Sequence, residues 1–458
     1  MKQRDFPPRG SGIEGRNESP PAEIWTHPWQ LDDDWDWAPG KVLLGSWEGR
    51  ALGLYDNRHV VTVAGSRSGK SSTVLKPNLR RYPGSAVVID PKGELYRDTA
   101  GYRRALGQEV YKLDPFGETE GVSAAHNPFD ELKRAKPEHI SADGALFADA
   151  LIISNEKDPH WTDSAKNLIK GLTLHLMATM SETPAVSDLR AAINGTPAEL
   201  DALFTAMTTS EAFGGTVANI GAALLGKHEA GGKELSSIMS TAAEQTAPLD
   251  DIAEVLGHSD FTLRDLSRRR MTIYVILPGM RMGTHFRWLR LFIQQALAAM
   301  ERSPVPEGEL PVWFVLEEFA SLGYMRTIET AAGLTAGFGV MLWSVLQDLT
   351  QLKTHYPNSW ETFLGNAGIV QAFANADLTT TDHLSQRLGM TQVMDRQVVR
   401  VQGAGMAAGD TGLRQTPRAV RLLDPNEITR HFARETRRQL ILVPGQLPTY
   451  MERLRAEE

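Results

Sequence analysis

An apolar, β-branched run, Val60-Val61-Thr62-Val63, leads straight into Ala64-Gly65-Ser66-Arg67-Ser68-Gly69-Lys70-Ser71-Ser72, and the residues after it have helical character as far as Leu79. Strand, glycine-rich loop and helix in that order make a cradle for phosphate. Glycines let backbone N–H groups turn inward, and the helix N-terminus adds partial positive charge. In such a cradle Lys70 reaches the β- and γ-phosphates of a nucleotide and the Ser71 hydroxyl meets Mg2+. Gly65, Ser66, Arg67, Ser68, Gly69 and Ser72 complete the expected binding loop. Its first position holds Ala64 where a glycine is usual. The plain alternative is a Gly/Ser-rich turn, and the strand before and helix after argue against it.

Around this loop, strands and helices alternate. Ala86-Val87-Val88-Ile89-Asp90 reads as a second buried strand and Val110-Tyr111-Lys112-Leu113-Asp114 as a third, each followed by a turn. That spacing predicts a mainly parallel sheet covered on both faces. Over residues 138–265 the period changes to helical, with breaks at Asn194-Gly195, Gly214-Gly215 and Gly231-Gly232 and few β-branched runs. This is an all-α insertion of domain size. Strands return near residues 271–277, 312–316, 340–344, 368–373 and 438–443. The expected fold is therefore α/β, with residues 41–137 and 266–458 as two parts of one nucleotide-binding domain. Residues 1–40 are expected to be a flexible amino-terminal segment, although the aromatics between Trp25 and Trp37 suit packing better than a plain linker. Val42-Leu43-Leu44-Gly45 reads as an edge strand leading to a loop at Arg50, and residues 401–416 as an exposed loop.

Composition removes several classes. The 458 residues include no cysteine, which excludes disulfides and thiolate chemistry. A net charge of −8 means that any nucleic-acid contact must use a local basic surface, with Arg268-Arg269-Arg270 and Lys353 with His355 as candidates. His126, His160 and His175 lack ligand-like spacing. There is no secretory signal, and the longest uncharged stretch is broken at Gly337-Phe338-Gly339, so the expectation is a soluble, cytoplasmic protein without a membrane span of its own.

A nucleotide hydrolase needs an acidic group beside Mg2+ and a base for the attacking water. Glu317-Glu318 follow the apolar strand Val312-Trp313-Phe314-Val315-Leu316. Adjacent carboxylates at a strand end repel unless a cation stands near them. An acid-rich helix N-terminus is the alternative, weakened by the presence of Lys70.

These motifs, with Pro77-Asn78-Leu79, Asp90-Pro91-Lys92-Gly93-Glu94, Asp114-Pro115-Phe116, Asn127-Pro128-Phe129, Glu318-Phe319-Ala320-Ser321-Leu322-Gly323, Gln347-Asp348-Leu349, Ala374-Asn375-Ala376-Asp377 and Leu442-Val443-Pro444-Gly445-Gln446, occur in an order that resembles the type IV coupling proteins, the conjugative TraG/TraD-type ATPases. The resemblance covers roughly residues 41–450. It implies a RecA-like motor with ATP and Mg2+ as cofactors, assembling as a hexamer and moving single-stranded DNA with its relaxase, or a protein effector, into a secretion channel. By motif position, Lys70 and Ser71 hold phosphate and Mg2+, Glu317 takes the metal-side acidic position, Glu318 is the catalytic base and Gln347 senses the γ-phosphate. Arg58 matches an arginine that family members contribute at the subunit interface. Three departures stand out: this chain shows none of the family's amino-terminal membrane helices, it has Glu317 where aspartate is usual, and it lacks a basic pair before Gly337. A chromosomal DNA translocase of the FtsK/HerA kind and a non-hydrolysing docking adaptor are the competing readings.

Overall fold

The computed structural model describes residues 24–154, 159–400 and 411–455. Its strands are β1 (Val42–Trp47), β2 (Arg50–Leu54), β3 (His59–Ala64), β4 (Ala86–Ile89), β5 (Glu109–Leu113), β6 (Met271–Val275), β7 (Val312–Leu316), β8 (Val340–Leu346), β9 (Ala367–Phe373), β10 (Met390–Arg400), β11 (Thr411–Arg421), β12 (Arg438–Leu442) and β13 (Thr449–Glu452). Eleven of them form one sheet in the order β2-β1-β13-β12-β9-β3-β8-β7-β4-β6-β5, and β10 pairs with β11 in a separate ribbon. From β5 across to β9 every pairing is parallel, whereas β12, β13, β1 and β2 continue the sheet antiparallel.

The inner parallel strands β3, β4, β6, β7, β8 and β9 are buried along their whole length because both faces are covered. Successive residues take opposite sides. Val61, Val63, Val87, Ile89, Phe314 and Leu316 enter one apolar cluster, while Val60, Ala64, Ala86, Val88, Trp313 and Val315 enter the other. The second cluster lies under the helices that follow the phosphate loop and β4, through Val74, Leu75, Leu79 and Leu95. The first continues without a break into the helical insertion.

Between β5 and β6 every described element is a helix, the longest being Pro159–Thr179. Phe147, Leu151, Leu168 and Leu172 of this region share the cluster of Val61, Val87 and Phe314. Helix Gly279–Arg302, which follows β6, joins the two. Its Gln294 donates to the Leu146 carbonyl at 2.6 Å and its Gln295 to the Pro128 carbonyl at 2.7 Å.

Three expectations need correction. The flexible segment over residues 1–40 does not hold for residues 24–40, because Trp25 and Trp35 are buried and the backbone bonds to Pro448 and Ala51 at the antiparallel edge. Residues 1–23 lie outside the described residues. β1 is not an edge strand, and Arg50 opens β2 in place of a loop. Glu48 (φ 48°) and Gly49 (φ 82°) make a two-residue turn of positive φ that matches strand twist, so the chain folds straight back. Of the expected loop at residues 401–416, positions 411–416 belong to β11 and the rest lie outside the described residues.

Leu151→Ala should lower stability by about 2–5 kcal/mol, since it empties part of the cluster shared by insertion and sheet. Chemical denaturation followed by tryptophan fluorescence and by circular dichroism should show one transition moved as a whole. Two transitions, with only one displaced, would mean that the insertion and the sheet are held by separate cores.

Candidate nucleotide-binding site

Parallel strands release their C-terminal ends at one rim, and β8 stands between β3 and β7. The phosphate loop leaves β3, Glu317-Glu318 leave β7 and Gln347 leaves β8. Three motifs far apart in sequence are thereby brought to one crevice outside the strand ends, where ligands bind in such sheets.

The loop is held by its own backbone. Ser68 N–H bonds to the Gly65 carbonyl at 3.3 Å and Thr73 N–H to the Gly69 carbonyl at 2.8 Å. Arg67 (φ 53°) and Gly69 (φ 88°) adopt the left-handed region. Gly65 meets a different demand, since a Cβ there would lie 2.2 Å from the Ala374 carbonyl oxygen. Ala64 sits in regular strand pairing opposite Phe373, so that position does not require the glycine seen in the usual pattern. The helix then opens with a wide turn over Ser71–Leu75, just ahead of Pro77. A wide turn at this place accommodates a proline that has no N–H to donate.

Lys70 is 9% exposed and, among the described residues, makes no hydrogen bond or ion pair. Ser71 Oγ donates to Glu317 Oε1 at 2.5 Å. Burial pushes the Glu317 carboxyl up to about 7; the Ser71 bond and Lys70 oppose this, while Asp90 and Glu318 add to it. Glu318 has φ 60°, an uncommon conformation for a side-chain-bearing residue and one that recurs where a site requires it. Its carbonyl accepts from Ser321 N–H and Oγ, and its carboxylate faces Gln347 Nε2 at 3.3 and 3.5 Å. Gln347 therefore reaches Glu318 directly, and Asn375 Nδ2 contacts the Gln347 carbonyl at 3.4 Å.

Ser72 Oγ turns back onto the Gly69 carbonyl at 3.1 Å and Arg67 is exposed. Arg58 is not in the crevice. It lies at the opposite end of β3, ~20 Å away at the usual rise per residue, and forms a two-pronged pair with Asp56 at 2.7 and 2.9 Å. Gly368 makes room for that pair, as a Cβ there would strike the Asp56 carboxylate.

Two further polar residues line the crevice. Asp90 ends β4, whose Ile89 is in register with Leu316, so it neighbours Glu317. It is fully buried, one carboxylate oxygen accepts Tyr96 N–H at 2.8 Å, and the other has no partner. Burial pushes its carboxyl up to about 6. An acid closing an all-apolar strand is the same signal that marked Glu317. The second, Asn375, follows β9 and has an unpartnered Oδ1. With the buried, unpartnered Ser68 hydroxyl, these atoms give the crevice polar groups that protein does not satisfy. A lysine, a hydroxyl and a carboxylate cluster are a donor set suited to a phosphate and a hard cation, which takes oxygen ligands.

A family model described as type IV secretory system conjugative DNA transfer matches residues 30–455. VirD4 of Agrobacterium fabrum is 27% identical over 445 residues, covering 91% of this chain and 61% of that protein. TraG of Escherichia coli is 26% identical over 417 residues, covering 85% of this chain and 65% of its own length. The chain thus spans less than two thirds of the length of these relatives. Among solved structures, the plasmid coupling protein TrwB in complex with ADPNP superposes with a TM-score of 0.68 at 13% identity over 96% of each chain. Unbound TrwBΔN70 gives 0.65 at 14% identity, over 90% of this chain and 89% of that one. The shared architecture is a RecA-like α/β fold. No helix among the described residues is long and apolar enough to cross a membrane. With the family match running nearly end to end and the phosphate loop, strand-end acids and glutamine gathered at one rim, this chain belongs to the type IV secretion family of conjugative DNA transfer.

Proposed function

We propose that this chain is an ATP-hydrolysing coupling protein that recruits a DNA–relaxase complex or a protein cargo on the cytoplasmic side and drives it into a type IV secretion channel. The observation that carries this is the convergence of Lys70, Ser71, Glu317, Glu318 and Gln347 at the ends of three parallel strands. TrwB, which shares the fold, has been solved with ADPNP and with ADP and Mg2+, and this supports ATP and Mg2+ as the ligands here.

In this reading Lys70 binds the terminal phosphates, and Ser71 with Glu317 holds Mg2+. The bound ion supplies neutralisation of phosphate charge. Glu318 takes the proton of the attacking water, and the Gln347 amide fixes the carboxylate beside the γ-phosphate. Arg58 cannot serve its own crevice, so its place in the chemistry is across a subunit boundary of a hexameric ring. The helical insertion is the cargo-recognition element. Arg290, 6% exposed, supports a link from it to the base: the guanidinium donates to the Ala150 carbonyl at the end of insertion helix Ile140–Leu151 and to the carbonyls of Leu322 and Tyr324, a few residues beyond Glu318. For single-stranded DNA, Arg269 is already engaged by Glu109 and Asp265, and Lys353 lies over the Trp360 ring at 4.3 Å. The phosphate contacts of the pore therefore fall to cations other than Arg269.

Lys70→Ala should lose ATP binding, whereas Glu318→Gln should bind ATP and hydrolyse it at least ~100-fold more slowly. Calorimetry and phosphate release, with and without single-stranded DNA, measure both. Stimulated turnover in the wild type fits a motor, and ATP binding without turnover would leave only the docking-adaptor role.

Mixing Arg58→Ala with Lys70→Ala subunits should restore activity above either parent, because an intact Lys70 site can meet an intact Arg58 next door. An arginine supplied in trans is worth ~10³-fold or more in rate. Mixed rings confirmed by native mass measurement yet as inactive as the parents would remove Arg58 from the mechanism.

Without metal, the carboxylate cluster should also have a pH signature. The Asp90 carboxyl is raised from 3.8 to about 6 in the fold, so the folded state binds the extra proton and wild-type stability falls as pH rises between those values. Asp90→Asn removes that loss. In EDTA its stability advantage should grow from nearly nothing at pH 4 to on the order of 2–3 kcal/mol at pH 7.5. A melting-temperature difference that does not change with pH would show that Asp90 is not held protonated.

A further inference from the structure

The phosphate loop is braced from outside by the last described segment of the chain. Arg453 follows β13 at the rim, 3% exposed. One guanidinium nitrogen donates to the Ser68 carbonyl in the loop, and the other to the Arg434 carbonyl at 2.6 Å. The plane lies 4.6 Å from the ring of Phe373, the last residue of β9. Its backbone is tied as well, with Arg453 N–H on the Arg437 carbonyl at 2.7 Å and Arg437 Nη2 on the Arg453 carbonyl at 3.0 Å. A second brace reaches the start of the loop. Ala374 N–H bonds to the Phe432 carbonyl at 2.7 Å, and the Ala374 carbonyl is the atom that leaves room only for glycine at position 65.

This arrangement is costly unless it serves the loop. Nε of Arg453 is buried without a partner. The charges nearby include Arg437 and Arg434 as well as Glu435, and burial together with the two like charges lowers the Arg453 guanidinium to about 10. A buried cation among cations is unfavourable by itself. A nucleotide in the loop would bring the missing negative charge.

We infer that Arg453 is a positioning residue for the phosphate loop, through which residues 432–453 set the affinity of the site for nucleotide. The inference rests on the reading that this loop binds nucleotide phosphate. The planar fork reaches two carbonyls in different segments from two separate nitrogens held at a fixed spacing, which the single nitrogen of a lysine does not reproduce.

The test is calorimetric titration of Mg2+-ADPNP into wild type, Arg453→Lys, Arg453→Met and Lys70→Ala, with hydrogen exchange of the amides of residues 66–70 measured in the nucleotide-free proteins. Arg453→Met should bind about tenfold more weakly, the loss expected when a charge-assisted hydrogen bond is removed. Arg453→Lys should lose nearly as much, because the charge is kept and the bridge is not. Both should exchange the loop amides faster than wild type. Wild-type affinity in Arg453→Lys would overturn the positioning role and leave only charge, as would unchanged exchange in the loop. If Arg453→Met does not fold, Arg453→Lys decides the matter. Failure of the wild type itself to bind would overturn the nucleotide reading, whereas wild-type binding equalled by both variants overturns this inference alone.

Discussion

Ser71 touches Glu317 because β8 stands between β3 and β7 and all three strands run the same way. Reverse any one of them and its motif would emerge at the far side of the sheet. The apolar alternation along these strands fixes that order, since a one-residue slip would exchange the residues of the two faces and expose Trp313 or Phe314 to the wrong layer. The chemistry at the rim therefore depends on packing that takes place well below it.

What the packing assembles is electrostatically unfavourable by itself. Asp90, Glu317 and Glu318 crowd one corner, with Lys70 as a buried cation beside them, and burial drives Asp90 and Glu317 toward their neutral forms. A nucleotide with its metal brings both signs of charge and relieves both problems. Such perturbed groups gathered in a crevice are a mark of function more than of stability. The Ser71–Glu317 hydrogen bond fits this view, because it joins the two side chains that are suited to share a cation.

Much of this was legible in the sequence. Parallel strands buried on both faces leave continuous apolar runs, and β3, β4, β6, β7, β8 and β9 all carry one. Two of the antiparallel strands do not: β2 contains Arg50 and Gly53, and β13 is Thr-Tyr-Met-Glu, which has no run to notice. Arg453 was hidden for that reason, as nothing local ties a residue after β13 to a loop some 385 positions earlier. Asp90 carried a readable signal, an acid closing an apolar strand, but its closeness to Glu317 depends on β4 pairing with β7. The helices between β5 and β6 were visible by their period. That their core is continuous with the sheet was not, because an apolar helical face looks the same whether it covers a neighbouring helix or a strand.

The measurement that bears most directly on this account is an experimental structure of the protein with Mg2+ and a non-hydrolysable ATP analogue. The account predicts phosphate within reach of Lys70 and the loop amides, with Mg2+ on Ser71 and Glu317 and with Glu318 kept off the metal beside Gln347. Nucleotide bound elsewhere, or bound here with the Ser71–Glu317 hydrogen bond intact and Mg2+ on Glu318, would contradict it.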